Sequence, residues 1–304
     1  MKNFIVNLLK MKFTIFKRLA FFLILLNYNY SFAQNFQEYL GIIKLNDSSY
    51  ISYRLNFTEK KGEISGYSIT DIGGDFETKS NITGNYNPTT NTLFFKEVGI
   101  VYTKSEVSDY DFCFIHFNGK LKNLTQHKNI EGTFKGYYAD GTTCINGEIA
   151  VKSIEKIEKK AHKADKFIQK SNRISDSIKA TISVSSFLDS LKMNVLKANQ
   201  NLSMFTNSNN ISLKIYDAGK VDGDKISIYI NNTALLKNYE VSKTSKIITI
   251  PITSEKTTIQ VIALNVGSIS PNTAKIEISD QKNNINTLTS LKKGEKTTVT
   301  ILKL

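Results

Sequence analysis

Three aspartates lie close together in a glycine-rich segment, I-Y-D-A-G-K-V-D-G-D-K-I, at the start of the last third of the chain. Calcium binds six to eight oxygen atoms on a sharply turning backbone, so Asp217, Asp222 and Asp224 could hold a structural calcium ion. Their spacing is not that of an EF-hand, and no bidentate glutamate follows at the required distance. The alternative is a tight turn between two strands, because Asp and Gly favour such turns.

Two further acidic stretches, T-D-I-G-G-D-F-E and S-E-V-S-D-Y-D, occur in the first half of the chain. If both lie at one barrel mouth, they could form a cation site or a carboxylate pair for glycosidic chemistry. The alternative interpretation is that acidic loop tips keep a β protein in solution. The candidate residues are Asp71, Asp75, Glu77, Glu106, Asp109 and Asp111.

The chain contains two cysteines, Cys113 and Cys144. An even pair within one domain of an exported protein predicts a disulfide. Two buried free thiols are the alternative.

The sequence contains few residues or motifs for other kinds of catalysis. There are only three histidines and no tryptophan, and the motifs G-x-S-x-G, H-E-x-x-H and the P-loop do not occur. The basic residues are spread thinly and form no recognisable nucleic-acid motif, so we expect no nucleic-acid partner.

The amino terminus has the pattern of a secretory signal peptide. A basic region ending at Arg18 precedes the apolar run A-F-F-L-I-L-L, and S-F-A ends at Ala33. We expect residues 1–33 to be removed on export, with an uncleaved anchor as the alternative. No later segment approaches about 18 consecutive apolar residues, so we do not expect an integral membrane protein.

Charge divides the rest of the chain into three segments. Residues 34–150 carry 11 basic and 14 acidic residues, residues 151–210 carry 11 and 5, and residues 211–304 carry 13 and 8. These steps coincide with changes in sequence pattern, so we predict three segments with these boundaries.

Residues 34–150 contain short alternating runs about 10 residues apart, separated by turn residues, which predicts an all-β meander or barrel. The motifs I-S-G-Y, I-T-G-N-Y and I-E-G-T-F each place a glycine inside a strand, where it favours a bend that curls the sheet. In this rhythm alone, the segment resembles a lipocalin- or avidin-type barrel.

Residues 151–210 begin with an amphipathic, Lys-rich helix that has a thin apolar seam. It could pair as a coiled coil, contact an anionic envelope surface, or simply connect two domains while packed on the barrel. The polar run N-L-S-M-F-T-N-S-N-N then predicts a flexible linker.

Residues 211–304 contain seven or eight short strand signals, which predict an immunoglobulin-like β-sandwich. The motifs D-x-G-x-x-D-G-D and A-x-N-x-G-x-x-x-P-N-T-A in this segment resemble the carboxy-terminal β-sandwich domain of uncharacterised secreted proteins of Gram-negative bacteria. The resemblance implies export and a β-sandwich, and it carries no chemistry with it.

Together these observations predict an all-β protein with a helical connector. The expected function is that of an exported, non-catalytic binding or scaffolding protein in the periplasm, at the cell surface or outside the cell. The alternatives are a glycan- or lipid-directed hydrolase that uses the acidic loops, and a structural protein that self-associates through the central helix. No cofactor is expected, and structural calcium at the three aspartates is the alternative. The envelope ligand, partner and oligomeric state stay open.

Overall fold

The structure is a computed structural model that describes residues 36–46, 49–106, 112–121, 129–217, 219 and 221–304, with only the backbone of Ala180. Within it, Gln37–Leu304 form one compact unit. The predicted signal peptide, residues 1–33, lies outside the described residues.

The first eight strands form a closed antiparallel barrel in which each strand pairs with its neighbours in sequence. The eighth strand pairs with the first, which closes the sheet. The strands are β1 (Gln37–Leu45), β2 (Tyr50–Lys60), β3 (Glu63–Thr70), β4 (Thr78–Asn87), β5 (Thr92–Thr103), β6 (Phe114–Leu121), β7 (Asn129–Tyr137) and β8 (Thr143–Ser153).

Aromatic and branched side chains fill the barrel interior. Every second residue of a strand points inward, and in β5 this rule buries Leu93 and Phe95. The largest fully buried side chains include Tyr39, Tyr53 and Phe57. The interior is therefore a packed core.

The strand glycines permit close contact between neighbouring strands. A Cβ at Gly66 would overlap the Asn56 carbonyl oxygen of β2, and one at Gly84 would overlap the Phe94 carbonyl oxygen of β5. The predicted curling of the sheet at these positions is consistent with the closed barrel.

A helical connector follows the barrel and consists of α1 (Ile154–Lys170), α2 (Asp176–Thr181) and α3 (Val184–Ser190). Residues 171–175 are not helical and separate α1 from α2. The Asp165 carboxylate accepts hydrogen bonds from the backbone N–H groups of Val184 at 2.7 Å and Ser185 at 3.1 Å, which fixes the start of α3 beside α1. Among the described helices, none is long and apolar enough to cross a membrane.

The last ten strands form a two-sheet sandwich. One sheet has the order β13-β12-β15-β18-β10, and the other has the order β14-β11-β16-β17-β9. Isoleucines, leucines and valines from both sheets pack between them. The strands are β9 (Asn194–Lys197), β10 (Asn201–Thr206), β11 (Asn210–Tyr216), β12 (Lys225–Ile230), β13 (Thr233–Glu240), β14 (Lys246–Pro251), β15 (Lys256–Ala263), β16 (Lys275–Ser279), β17 (Asn284–Ser290) and β18 (Lys296–Lys303).

The sandwich is joined to the barrel through a shared sheet. Strand β10 pairs with β18 on one side and with the end of β5 on the other, where Met204 lies opposite Tyr102. The predicted flexible linker over residues 201–210 is therefore wrong, because its alternating Leu202 and Met204 are fully buried in the sandwich core. The predicted all-β fold, with a barrel, a helical connector and a sandwich, is confirmed.

Candidate functional site

A cleft lies where the outer wall of the barrel meets the end of the helical connector and strand β17; we call it the junction cleft. Its inner chamber has a volume of about 130 Å³ and reaches the barrel wall. Its outer groove has a volume of about 400 Å³ and lies against the sandwich. Lys192, Met193, Asn194 and Asn286 line both parts, so the two volumes are adjacent.

The floor of the inner chamber is one row of residues across four neighbouring strands. Arg54 of β2 is opposite Ile69 of β3, Ile69 is opposite Lys79 of β4, and Lys79 is opposite Tyr102 of β5. Inward-facing residues such as Tyr53 and Leu55 flank Arg54 in β2, so the row points away from the barrel interior. The sandwich and the connector cover this part of the wall.

Arg54 is a buried cation at one end of the row, with 5 % of its surface exposed. Its Nη2 donates a hydrogen bond of 2.7 Å to the Leu191 carbonyl oxygen at the end of the connector. Its Nε lies 3.5 Å from a carboxylate oxygen of Glu38. Arg54 thus anchors the connector to the barrel and brings positive charge into the chamber.

Lys79 is the second cation of the row. Its Nζ lies 4.0 Å from the centre of the Tyr67 ring, a cation–π contact. In the part of the chain that the structure describes, no carboxylate lies within 4.0 Å of this ammonium group. Burial lowers the pKa of Lys79 below its ordinary value, and the Arg54 charge lowers it further. The Arg54 and Lys79 charges are therefore close enough to repel each other.

Among the described residues, Glu77 is the one carboxylate that lines the chamber, and it already has partners. Its Oε1 accepts a hydrogen bond of 2.8 Å from the Tyr102 hydroxyl, and its Oε2 accepts one of 2.6 Å from the Gly73 N–H. The Lys104 ammonium lies 3.9 Å from Oε2 and donates to the Val195 carbonyl oxygen at 3.0 Å. Burial and the Glu77 charge raise the pKa of Tyr102, so this hydroxyl stays protonated.

The opposite wall of the chamber is made by the start of β9 and the start of β17. Asn194 is 92 % buried there, and neither its Nδ2 nor its Oδ1 has a hydrogen-bond partner among the described residues. Asn284 and Asn286 add two more amide side chains to the lining. A buried amide without partners costs about 1–3 kcal/mol, and both polar atoms of this side chain are almost completely enclosed by protein atoms.

The described acidic-loop candidates, Asp71, Asp75, Glu77 and Glu106, lie at one mouth of the barrel, since they follow β3 and β5, which end on the same side. Asp71 accepts the Phe76 N–H at 2.9 Å, and Asp75 accepts the Gln200 side-chain N–H at 2.7 Å. Glu106 is exposed, while Asp109 and Asp111 lie outside the described residues. Of the four candidates that the structure describes, only Glu77 lines the junction cleft.

The predicted disulfide is confirmed. Cys113, just before β6, is bonded to Cys144 of β8, and their Cα atoms are 6.0 Å apart. The bond crosses the intervening strand β7 at Gly136, where a Cβ would overlap both sulfur atoms. It therefore ties three neighbouring strands at the mouth that carries the acidic loops.

The aspartates of the sandwich each accept a main-chain hydrogen bond. Asp217 accepts the Gly219 N–H at 2.7 Å, Asp222 accepts the Ile269 N–H at 2.8 Å, and Asp224 accepts the Thr273 N–H at 2.7 Å. Burial raises the pKa of Asp224, and the charges of the other two aspartates add to the effect. Across the described residues, no group of three or more His, Cys, Asp or Glu side chains is placed to hold a metal ion. Structural calcium at these aspartates stays a prediction.

One buried carboxyl group of the barrel interior was missed by our sequence analysis. Glu97 of β5 has 6 % of its surface exposed and accepts a hydrogen bond of 2.5 Å from the Ser68 hydroxyl and one of 2.9 Å from the Ile115 N–H. Burial raises its pKa to about 7. The signal was present in the alternation of Leu93, Phe95 and Glu97, which places Glu97 on the inward face.

The cleft residues Arg54, Lys79 and Asn194 were also missed. The alternation of β2 identifies Arg54 as outward-facing, but an outward-facing arginine of a barrel is ordinarily solvated. Nothing in the local pattern shows that a second domain covers it. Asn194 belongs to a segment in which we predicted no strand.

Comparisons of the chain with family models, with curated proteins and with solved structures find no match. The geometry of the cleft is therefore the basis for a functional conclusion.

Proposed function

We propose that the protein is an exported, non-catalytic binding protein of the bacterial envelope, and that the junction cleft is its ligand site. The signal-peptide pattern of residues 1–33 supports export, and the Cys113–Cys144 disulfide is compatible with an oxidising compartment.

The observation that carries this proposal is the state of Asn194. A buried amide normally finds hydrogen-bond partners, and both polar atoms of Asn194 lack one in the described structure. The same side chain lines both the inner chamber and the outer groove. Both atoms are enclosed by protein atoms in this structure, and a polar ligand in the cleft would supply the missing partners when the side chain turns toward it.

The dimensions of the cleft fit a small ligand. Ligand sites ordinarily measure about 300–1,000 Å³, and the outer groove alone, at about 400 Å³, lies in that range. Met193 and Leu288 give the groove apolar surface, while the inner chamber is polar. The arrangement suits a compound with a polar head group and a less polar remainder.

The experiment is a thermal-shift screen of the mature chain, residues 34–304, against small polar and anionic compounds. Met193→Trp fills the cleft from a side chain that is 47 % exposed, so we expect it to fold. Ile178→Trp is the matched control, since Ile178 has the same exposed fraction and lies on α2, away from the cleft.

A compound that raises the melting midpoint of the wild type and of Ile178→Trp, and fails to do so for Met193→Trp, supports the cleft as the ligand site. Compounds that stabilise all three proteins equally would place the ligand elsewhere and refute the proposal.

A further inference from the structure

We infer that the inner chamber is an oxyanion site, in which Lys79 and Asn194 bind the carboxylate or phosphate group of the ligand. This inference rests on the proposed function and adds to it the chemical class of the ligand.

The charge balance of the chamber is the first argument. Three cations line it, namely Arg54, Lys79 and Lys192, against the single carboxylate of Glu77. Glu77 is hydrogen-bonded to Tyr102 and Gly73 and is close to Lys104, which lies outside the lining. Arg54 is paired with Glu38, and Lys192 with Glu158 and Asp189. Among the lining cations that the structure describes, Lys79 is therefore the one without a carboxylate partner.

The positions of Arg54 and Lys79 in the cross-strand row also favour an anion. Arg54 and Lys79 lie two strands apart, which is about 10 Å at the usual inter-strand spacing, with Ile69 between them. Both long side chains leave the same face of the sheet. A small anion above Ile69 would lie between two positive charges that otherwise repel each other.

The partners of the cations distinguish their roles. Arg54 is held by the Leu191 carbonyl oxygen and Glu38, and Lys192 contacts Glu158 at 2.7 Å and Asp189 at 3.1 Å. Lys79 has the Tyr67 ring beside it and, within the described residues, no carboxylate at ion-pair distance. Lys79 is therefore the cation available to an incoming anion.

Asn194 supplies the independent observation that a ligand group belongs here. Both amide atoms are enclosed by protein atoms in this structure. Once the side chain turns toward the chamber, Nδ2 is a donor that suits an anionic oxygen, and Oδ1 can accept from a hydroxyl or a protonated oxygen of the same ligand. The chamber volume of about 130 Å³ equals about four water molecules at about 30 Å³ each. That volume suits a carboxylate or phosphate group, and the outer groove can take the remainder of the ligand.

The test uses inorganic phosphate and sodium acetate as probes on the mature chain. Melting midpoints are measured by calorimetry against sodium chloride of equal ionic strength, and the rise is converted to a dissociation constant through mass action. The variants are Lys79→Met and, as a control with the same net charge, Lys135→Met on the exposed surface of β7.

We expect phosphate, acetate or both to stabilise the wild type and Lys135→Met, and we expect binding by Lys79→Met to weaken by about 10-fold or more, the usual effect of losing a charged hydrogen bond. Stronger binding of one probe identifies the preferred oxyanion. The inference is wrong if neither probe binds the wild type, or if Lys79→Met binds as the wild type does.

Failure of this inference can be distinguished from failure of the proposed function. If a screening compound binds Lys79→Met but no longer binds Met193→Trp, the junction cleft remains the ligand site and the bound group of the ligand is neutral. If the compound still binds Met193→Trp, the cleft is not the ligand site.

Discussion

Arg54 and Lys79 lie in the same cross-strand row of the barrel wall, separated only by Ile69 on the strand between them. On an isolated barrel this pair would point into solvent, where its mutual repulsion would be small. Here the connector and the sandwich cover the row, and burial lowers the pKa of Lys79. Docking of the second half of the chain therefore converts ordinary surface residues into a polar chamber.

Glu97 makes the stability of the barrel depend on pH. Its pKa rises from 4.5 to about 7 on folding, so the folded state binds this proton more tightly than the unfolded chain does. The stabilisation that comes from this tighter proton binding is complete at acidic pH. It is lost as the pH rises from about 4.5 to about 7, which lowers the free energy of unfolding by roughly 3 kcal/mol. Glu97→Gln removes this dependence, because its amide oxygen can accept from the Ile115 N–H and its NH2 can donate to the Ser68 hydroxyl oxygen.

The measurement is urea unfolding of the wild type and Glu97→Gln at several values of pH between 4.5 and 8. We expect the stability of the variant relative to the wild type to increase by about 3 kcal/mol over this range. Glu63→Gln, at an exposed position of β3, should follow the wild type. A constant difference between Glu97→Gln and the wild type would contradict this account of the buried carboxyl.

The disulfide should stabilise the barrel by closing a long loop. Cys113 and Cys144 are 31 residues apart, which corresponds to about 3–4 kcal/mol in the chain-entropy account. We expect the double variant Cys113→Ser/Cys144→Ser to lose that amount in urea unfolding of the mature chain. The wild type under reducing conditions should lose a similar amount, and an unchanged unfolding midpoint in both cases would argue against the bond.

Gly136 should be intolerant of any side chain. A methyl group there would overlap the Cys113 and Cys144 sulfur atoms and the Ile145 carbonyl oxygen, and overpacking of this kind costs about 1–3 kcal/mol. We expect Gly136→Ala to lower the free energy of unfolding by that amount. In the background without the two cysteines the loss should shrink, and an equal loss in both backgrounds would show that the sulfur atoms are not the cause.

The aspartate segment of the sandwich should act through hydrogen bonds. Asp222 holds the following loop by accepting the Ile269 N–H, so we expect Asp222→Ala to cost about 1 kcal/mol. The loss should be the same with calcium and with a chelator in thermal unfolding of the mature chain. A midpoint that rises with calcium in the wild type and not in Asp222→Ala would instead support the calcium prediction made from the sequence.

The barrel and the sandwich could be predicted because both depend on local alternation and on turn residues. The pairing of Cys113 with Cys144 could also be predicted, since the chain has only two cysteines. The cleft could not be predicted, because it depends on β10 pairing with β5 and on the Arg54 contact with Leu191, two relationships between distant parts of the chain. The alternation that places Phe95 on the inward face of β5 also places Glu97 there, so this buried carboxyl group could have been predicted from the sequence.

The most direct test of the oxyanion chamber is a crystal structure of the mature chain grown with sodium selenate and measured at the selenium absorption edge. Selenate has the shape and charge of a common oxyanion, and its anomalous signal identifies its position without ambiguity. We predict a peak in the inner chamber, with selenate oxygens within hydrogen-bond distance of Lys79 Nζ and Asn194 Nδ2. Ordered selenate elsewhere on the protein, together with a chamber that contains none, would contradict the account.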